Sequence, residues 1–295
     1  MNDITRKNLI DKVFKIIVMV FASLSIISLG AILVFILVRA LPLFKEVNII
    51  DFITGTTWSP SENIFGIAPF ILSSLLTTML AVVIGIPIGL YTAIFIAEIA
   101  NKHFSKLMLN VVEILAAIPS VIYGFFGITV VVPFIQDLFN LRSGSTLLTA
   151  SLILALMVLP TVVSLSTSAL KSVPTSIKEG SLALGATKLQ TIFKTMIPYA
   201  KSGILTSFVL GIGRALGETM AVILIAGNST NMPILNPLYQ AFLNGGRTLT
   251  GNIVIDLDYA SGIHESALFA TGVILFLFVS ILNLIILYIN NRKVK

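Results

Sequence analysis

The chain has 295 residues, of which 56% are hydrophobic and only 11% are charged, and its mean hydropathy is +1.02. Soluble domains carry about 25% charged residues and disordered chains are poor in apolar residues, so both classes are excluded. The absence of cysteine excludes a disulfide scaffold, a thiolate metal site and a cysteine nucleophile. The net charge of +6 and the pI near 9.6 therefore indicate a membrane protein with basic loops, not a nucleic-acid-binding protein.

Six apolar segments are long enough to cross a bilayer, which needs about 20 mostly apolar residues. In chain order they are residues 16–38, 67–97, 114–136, 143–170, 202–226 and 266–291. The first run is longer than the apolar region of a signal peptide and lacks its small-residue cleavage site, so the sequence predicts an uncleaved anchor. Inside these segments, Gly85, Pro87, Gly89, Pro119 and Gly124 predict bends.

Lysine and arginine are unevenly divided between the connecting segments. With the N-terminus inside, fourteen lie on the cytoplasmic side, and the four outside are Arg39, Lys45, Arg142 and Arg247. Because basic residues accumulate in cytoplasmic loops, the sequence predicts an all-α membrane protein with six transmembrane helices and both termini in the cytoplasm. Residues 1–66 would form an anchor helix with an extracytoplasmic segment. Residues 67–295 would form a five-helix core with a cytoplasmic loop at 171–201.

That cytoplasmic loop predicts a short surface helix. Pro174 stands just before it, Thr175 or Ser176 can cap it, Glu179 falls in its first turn and Gly185 ends it. An exposed helix of small and apolar residues suits insertion into the groove of a partner. On spacing alone, a solvated connector is an equal alternative.

The same loop resembles a known family. The segment Glu179-Gly-Ser-Leu-Ala-Leu-Gly185, followed by Ile197-Pro198, is similar to the Glu-Ala-Ala loop of permease subunits of ATP-driven importers. Gly180 and Ser181 replace the two alanines here. The resemblance implies that this loop docks into an ATPase subunit and transmits its closure. The residues to which the resemblance assigns this contact with the ATPase are Glu179, Gly180, Ser181, Leu182, Gly185 and Pro198.

Further motifs narrow the resemblance to phosphate-specific permeases. They are Leu115-Ala-Ala-Ile-Pro119-Ser120, Leu159-Pro160-Thr161, Ser181 to Ile192 and Gly213-Arg214-Ala-Leu-Gly217-Glu218-Thr219-Met220-Ala221. The Glu-Thr-Met-Ala form, together with Trp58-Ser-Pro60, resembles the PstC-type subunit and not its PstA-type partner.

Several expectations follow from this resemblance. The fold is that of a type I ATP-binding-cassette importer permease in a bacterial or archaeal cell (inner) membrane. The implied partners are a homologous PstA-type permease, a cytoplasmic ATPase dimer that uses ATP and Mg, and an extracytoplasmic phosphate-binding protein. The chain itself would be no enzyme and would bind no cofactor.

Two charged residues lie inside the fifth apolar segment. Arg214 and Glu218 would share a helix face at i,i+4 spacing, and each needs a partner or water because a charge in hydrocarbon costs about 2.5–3.5 kcal/mol or more. They predict either a packing ion pair or a substrate pathway in which Arg214 meets phosphate oxygens. Thr161 and Ser164, on one face of the fourth segment with Ser168, are weaker pathway candidates. Alternatively, these hydroxyl groups form hydrogen bonds between helices and do not contact the solute.

Two rival functions stay open. One is a permease of the same fold for another oxyanion, such as molybdate or sulfate, or for a polar organic solute. The other is a secondary carrier driven by an ion gradient, although such carriers usually contain two repeat-related halves.

Two smaller sequence features carry structural predictions. Gly85-x-x-x-Gly89 and Gly213-x-x-x-Gly217 predict close helix packing. The His264-Glu265 pair predicts a solvated outer loop.

Overall fold

A computed structural model describes residues 3–292. The described part is mostly helical, and its strands form one antiparallel hairpin, β1 (Trp58–Ser59) paired with β2 (Ile64–Phe65). The helices are α1 Asp3–Ala40, α2 Ile49–Thr54, α3 Ala68–Ile94, α4 Lys102–Ala117, α5 Ser120–Phe126, α6 Val132–Phe139, α7 Leu147–Lys171, α8 Thr175–Ala183, α9 Lys188–Thr191, α10 Ile197–Tyr199, α11 Lys201–Gly217, α12 Met220–Ile225, α13 Tyr239–Leu243, α14 Leu249–Asp256 and α15 Ile263–Arg292. Met1 and Asn2 of the predicted anchor segment, and Lys293 and Lys295 of the charge count, lie outside the described residues.

Short helical segments of other geometry join these elements. Two 3₁₀ turns lie at Leu43–Lys45 and Pro60–Glu62. Three π-helical segments lie at Phe95–Ile99, Gly127–Val131 and Ile192–Met196. Such π-helical turns occur mostly as single-turn insertions in α-helices, frequently at functional sites.

Within the described residues, five helical stretches are long and apolar enough to cross a membrane. They are Asp11–Lys45, Ala68–Ile99, Ser120–Phe139, Leu147–Lys171 and Ile263–Ile281. The predicted fifth span is not one continuous helix. It divides into α11 and α12 because Glu218 takes an extended conformation, with φ −70° and ψ 129°. The summed hydropathy of residues 202–226 is the same whether they form one helix or two. The apolar pattern therefore gave no indication of this break.

The predicted third span is also divided. Its first residues belong to the end of α4, the chain breaks at Pro119, whose ψ is 140°, and the apolar stretch long enough to cross a membrane is Ser120–Phe139. The bend predicted at Pro119 is therefore confirmed as a helix break. Gly124, in contrast, lies inside α5, where an added Cβ would come within 3.0 Å of the Ala221 Cα. That glycine permits close packing of α5 on α12 and does not mark a bend.

Helices α3 and α7 form the centre of the bundle, and small residues let them approach closely. A Cβ at Gly85 would lie 3.1 Å from the Ala155 carbonyl oxygen, and one at Gly89 would lie 2.9 Å from the Val162 Cβ. The close packing predicted for this glycine pair is confirmed. For Gly213 and Gly217, a Cβ would meet nothing within 4 Å, so the described residues provide no helix packed against that pair.

Helix α1 joins the bundle only near its end. Its side chains from residue 11 to residue 32 are exposed, whereas Phe35 packs edge-to-face on Phe269 of α15 with ring centroids 5.7 Å apart. An exposed ion pair of 3.7 Å between Arg39 and Glu265 also joins α1 to α15. The long apolar surface of α1 is what a lipid-embedded anchor requires.

Candidate functional site: the α8 loop and the Arg214 face

Helix α8 carries most of the predicted docking residues. It ends as predicted at Gly185, whose φ of +84° is a left-handed conformation that glycine adopts at little cost. The Gly185 amide donates to the Leu182 carbonyl at 3.0 Å and the Ala186 amide donates to the Ser181 carbonyl at 3.3 Å. These two bonds form a Schellman motif, which fixes the direction of the chain after the helix.

The predicted beginning of α8 was wrong in two respects. Pro174 occupies the N-cap position, and no side chain caps the helix. Thr175 is already the first helical residue, so neither it nor Ser176 is the cap, and Glu179 lies in the second turn. The extended ψ of 136° at Pro174 explains the difference, because it lets the helix begin immediately after the proline.

The outer face of α8 is available to a partner. Glu179 and Gly180 are exposed, Leu182 is exposed at 42% and Leu184, just after the helix, at 90%. These two leucine side chains therefore lie on the surface of the loop, within the segment predicted to dock. Pro198 is the second residue of the one-turn helix α10 and is exposed as well.

Ser181 differs from its neighbours because it faces the protein. Its hydroxyl lies 3.1 Å from the Thr191 hydroxyl and 3.3 Å from the Thr195 hydroxyl. Thr195 belongs to the π-helical segment that leads through α10 into α11. Ser181 is therefore an internal attachment of the loop, and sequence reasoning had grouped it with the docking residues.

A second attachment of α8 was not predicted. Lys178 forms an ion pair with Glu98, which lies in the π-helical segment after α3. The Glu98 side chain is only 6% exposed. The two residues are 80 positions apart in the sequence. The only indication of this pair in the sequence was weak: one carboxylate follows an apolar segment, and a separate loop on the same predicted side of the membrane is rich in lysine.

The structure places two of the four predicted pathway residues together. Arg214 Nη1 on α11 donates to the Thr161 hydroxyl on α7 at 3.3 Å. Ser164, one turn further along α7, is exposed, as is Ser168. The polar stripe of α7 therefore lies on an open face of the helix, whereas the buried hydroxyl contact between α7 and α11 is made by other residues, Ser166 and Ser207, at 2.8 Å.

The predicted ion pair between Arg214 and Glu218 is absent from the described residues. Glu218 lies at the break after α11, so the i,i+4 relation of a continuous helix is lost. One carboxylate oxygen instead accepts from the Ala221 amide at 3.3 Å, and the Glu218 carbonyl accepts from the Thr250 hydroxyl at 3.1 Å. Glu218 thus serves the start of α12, where a carboxylate is favoured, and Arg214 has no acidic partner within the described chain.

An apolar groove of about 350 Å³ lies beside the break at Pro119. Tyr123 lines it and donates its hydroxyl to the Leu115 carbonyl at 2.9 Å, which joins α5 to the end of α4. Leu156 and Leu159, on the turns of α7 before Thr161, complete one wall. Two helix breaks, the groove and the Arg214 guanidinium therefore occur in one part of the bundle.

A polar cluster joins the outer segments, and its centre is Asp256. The Asp256 carboxylate accepts from Arg247 at 3.0 Å and from the Trp58 indole at 2.9 Å, and it lies 3.2 Å from His264 Nε2. The His264 ring stacks on Phe65. The prediction of a solvated loop at His264 was therefore wrong, because contacts distant in sequence bury it.

These features are those of an α-helical protein with several apolar helices long enough to cross a membrane. The chain belongs to the family of binding-protein-dependent transport system inner membrane components, which matches residues 85–295.

Named relatives extend this assignment. The probable ABC transporter permease protein YqgH of Bacillus subtilis (strain 168) is 36% identical over 285 residues, covering 95% of this chain and 90% of that protein. The phosphate transport system permease protein PstC of Haemophilus influenzae is 34% identical, covering 90% and 89%. PstC 2 of Mycobacterium tuberculosis is 31% identical with the same coverage. The predicted resemblance to PstC-type permeases is confirmed.

Solved structures agree on the fold. A bacterial alginate ABC transporter, in complex with its alginate-bound periplasmic protein, matches with a TM-score of 0.67 and 17% identity, covering 99% of this chain and 97% of that chain. The MetNI methionine ABC transporter in an inward-facing form matches with a TM-score of 0.61 and 20% identity, covering 80% and 99%. At these identities the likeness concerns the fold alone, which is that of type I ABC importer permeases.

Proposed function

We propose that this chain is a permease subunit of an ATP-driven importer of inorganic phosphate. The observation that carries the proposal is Arg214, a half-buried cation without an acidic partner in the described chain, beside a hydroxyl on the open face of α7. A guanidinium presents a planar fork of donors that matches phosphate oxygens. The relatives named as phosphate permeases support the same substrate.

The proposed complex contains a second, PstA-type permease, two copies of a cytoplasmic ATPase and an extracytoplasmic phosphate-binding protein. The exposed apolar surface of α8 supports the ATPase contact. ATP and Mg belong to the ATPase, and this chain supplies the passage and no catalytic group. The proposed location is the bacterial or archaeal cell (inner) membrane.

In the proposed arrangement the chain crosses the bilayer six times, with both termini in the cytoplasm. Residues 1–66 provide the anchor and an extracytoplasmic segment, and residues 67–295 provide the transport core. The exposed length of α1 and the limits of the family match, 85–295, support this division.

Transport by the reconstituted complex tests the proposal. Vesicles containing the two permeases and the ATPase should accumulate labelled phosphate when ATP, Mg and the binding protein are supplied. An excess of sulfate or molybdate should not compete. Competition by either anion would favour the rival oxyanion permease, and uptake driven by an ion gradient without ATP would favour a secondary carrier.

The orientation is tested by labelling introduced cysteines, because the natural chain has none. A Lys188→Cys variant should resist an impermeant thiol reagent applied outside, since the loop 171–201 is placed in the cytoplasm. A Tyr259→Cys variant should react, because Tyr259 is 84% exposed in the segment placed outside. Reaction of Lys188→Cys in intact cells would contradict the proposed topology.

The docking role of α8 predicts loss of coupling in a Gly185→Pro variant. Proline fixes φ near −65° and removes the amide that bonds to Leu182, so the Schellman motif cannot form. We expect ATP-dependent uptake to fall by at least about tenfold, because the exit from α8 is misdirected at a cost of about 2–3 kcal/mol. Glu179→Ala should weaken uptake with α8 intact, since Glu179 is exposed.

Ser176→Ala is the matched control for both variants. Ser176 is an exposed residue in the first turn of the same helix, and its hydroxyl does not cap the helix. It should transport at the parental rate. Parental uptake by both Gly185→Pro and Glu179→Ala would show that α8 does not dock.

A further inference from the structure

The π-helical segment Phe95–Ile99, at the end of α3, receives polar side chains from α8 and α4, and α7 is joined to it through the side chain from α4. Lys178 of α8 pairs with Glu98. The Ser105 hydroxyl of α4 donates to the Ile96 carbonyl at 2.9 Å, and Lys171, the last residue of α7, donates to that same hydroxyl at 3.4 Å. We refer to this meeting point of α3, α4, α7 and α8 as the 95–99 joint.

The ion pair in the joint resists separation. Glu98 is nearly buried, whereas Lys178 is 35% exposed and reaches the carboxylate from the surface. If α8 moved away alone, a carboxylate in a poorly solvated position would lose its cation, which is strongly unfavourable. A displacement of α8 therefore carries the end of α3 with it.

The same face of α8 has a second, weaker attachment three residues further along the helix. There, Ser181 contacts Thr191 and Thr195 through hydroxyl groups only. Hydrogen bonds between neutral groups are about half as strong as those between charged groups. The charged link to Glu98 is thus the firmer of the two attachments within the described residues.

The joint also connects with the part of the bundle that holds Arg214. From Ser105, α4 runs as a regular helix to its end at Ala117, and there the Leu115 carbonyl accepts the hydroxyl of Tyr123. Tyr123 lines the groove beside the break at Pro119. A movement of the joint is therefore transferred along α4 to the wall of the proposed passage.

We propose that the Lys178–Glu98 ion pair is a positioning element that transmits the displacement of α8 to α3 and α4, and so links ATP hydrolysis to opening of the passage. This inference rests on the proposed function and assigns to the pair a role separate from the ATPase contact. Neither residue touches the solute.

Charge reversal and exchange test the pair in the assembled complex. The variants are Lys178→Glu, Glu98→Lys and the double exchange, together with the milder Lys178→Gln in case a reversal prevents assembly. The matched control is Lys106→Glu, a reversal at an exposed lysine of α4 for which the described residues show no ion pair. For each purified complex, ATP hydrolysis, phosphate uptake and the amount of bound ATPase are measured.

We expect each reversal, and to a smaller extent Lys178→Gln, to keep the ATPase bound while solute uptake per ATP falls by about tenfold, within the range of coupling energies between sites. The double exchange should restore most of this ratio, and Lys106→Glu should leave it unchanged. A parental ratio in both reversals, or no recovery in the exchange, would overturn the inference. Failure of the parental complex to take up phosphate would instead refute the proposed substrate, and the ratio would then be measured with the solute it does transport.

Discussion

An Arg214→Gln variant is expected to lose phosphate uptake by about a hundredfold or more while the complex remains folded. Hydrogen bonds to a charged group contribute about 1.5–3 kcal/mol each, so losing a two-donor contact to phosphate costs about 3 kcal/mol or more, which is about a hundredfold. Arg214→Lys should recover only part of the activity, since an ammonium group lacks the planar fork. The measurement is uptake normalised to folded complex in the membrane.

Stability separates this role from a structural one. Because the described chain gives Arg214 no acidic partner, its replacement leaves no unpaired carboxylate, and the melting temperature should not fall. For the same reason, Arg214→Gln and Glu218→Gln should have additive effects on stability. Recovery of stability in the double variant would instead reveal the ion pair that the structure does not contain. Arg142→Gln, at an exposed arginine, is the control and should transport normally.

An Asp256→Ala variant is expected to lower the free energy of unfolding by about 3–5 kcal/mol, the usual effect of breaking a buried ion pair. The side chains of Arg247 and Asp256 are only 13% and 15% exposed, so the substitution leaves a guanidinium without its counterion. It also removes the acceptor of the Trp58 indole. Thermal unfolding of the purified complex should show a clear decrease in melting temperature.

Asp258→Ala provides the comparison for this variant. Asp258 is an exposed acidic residue two positions further along the chain, and exposed substitutions usually change stability by less than about 0.5 kcal/mol. Replacing both members of the pair, with Arg247→Met and Asp256→Leu, should be milder than Asp256→Ala alone. Equal melting temperatures for Asp256→Ala and Asp258→Ala would show that the cluster has no structural role.

Local signals predicted those parts of the fold that depend on neighbouring residues. The glycine that ends α8 was recognised because its conformation is set within one turn, and the Gly85 and Gly89 contact was recognised from spacing alone. Five of the predicted spans correspond to helical stretches in the structure, because hydropathy summed over a segment of about 20 residues needs no knowledge of distant contacts.

Features that depend on distant partners were missed. The break at Glu218 is held by Thr250, which is 32 positions away, and an apolar segment gives no sign of it. The ion pair of Lys178 with Glu98 joins positions that no periodicity relates. Of the predicted pathway residues, Arg214 and Thr161 are in contact, whereas the predicted ion pair of Arg214 with Glu218 is not present in the described part of the chain.

The close contact of α3 with α7 has a practical consequence for observing this protein at work. At Gly85 and Gly89 the two helices meet with so little space that neither can slide along the other without a collision. Spectroscopic probes placed on α3 and α7 should therefore keep a constant separation throughout the transport cycle. The distance between the α3 and α7 probes can then serve as an internal reference. The displacement of a third probe on another helix is measured relative to that reference in the same sample.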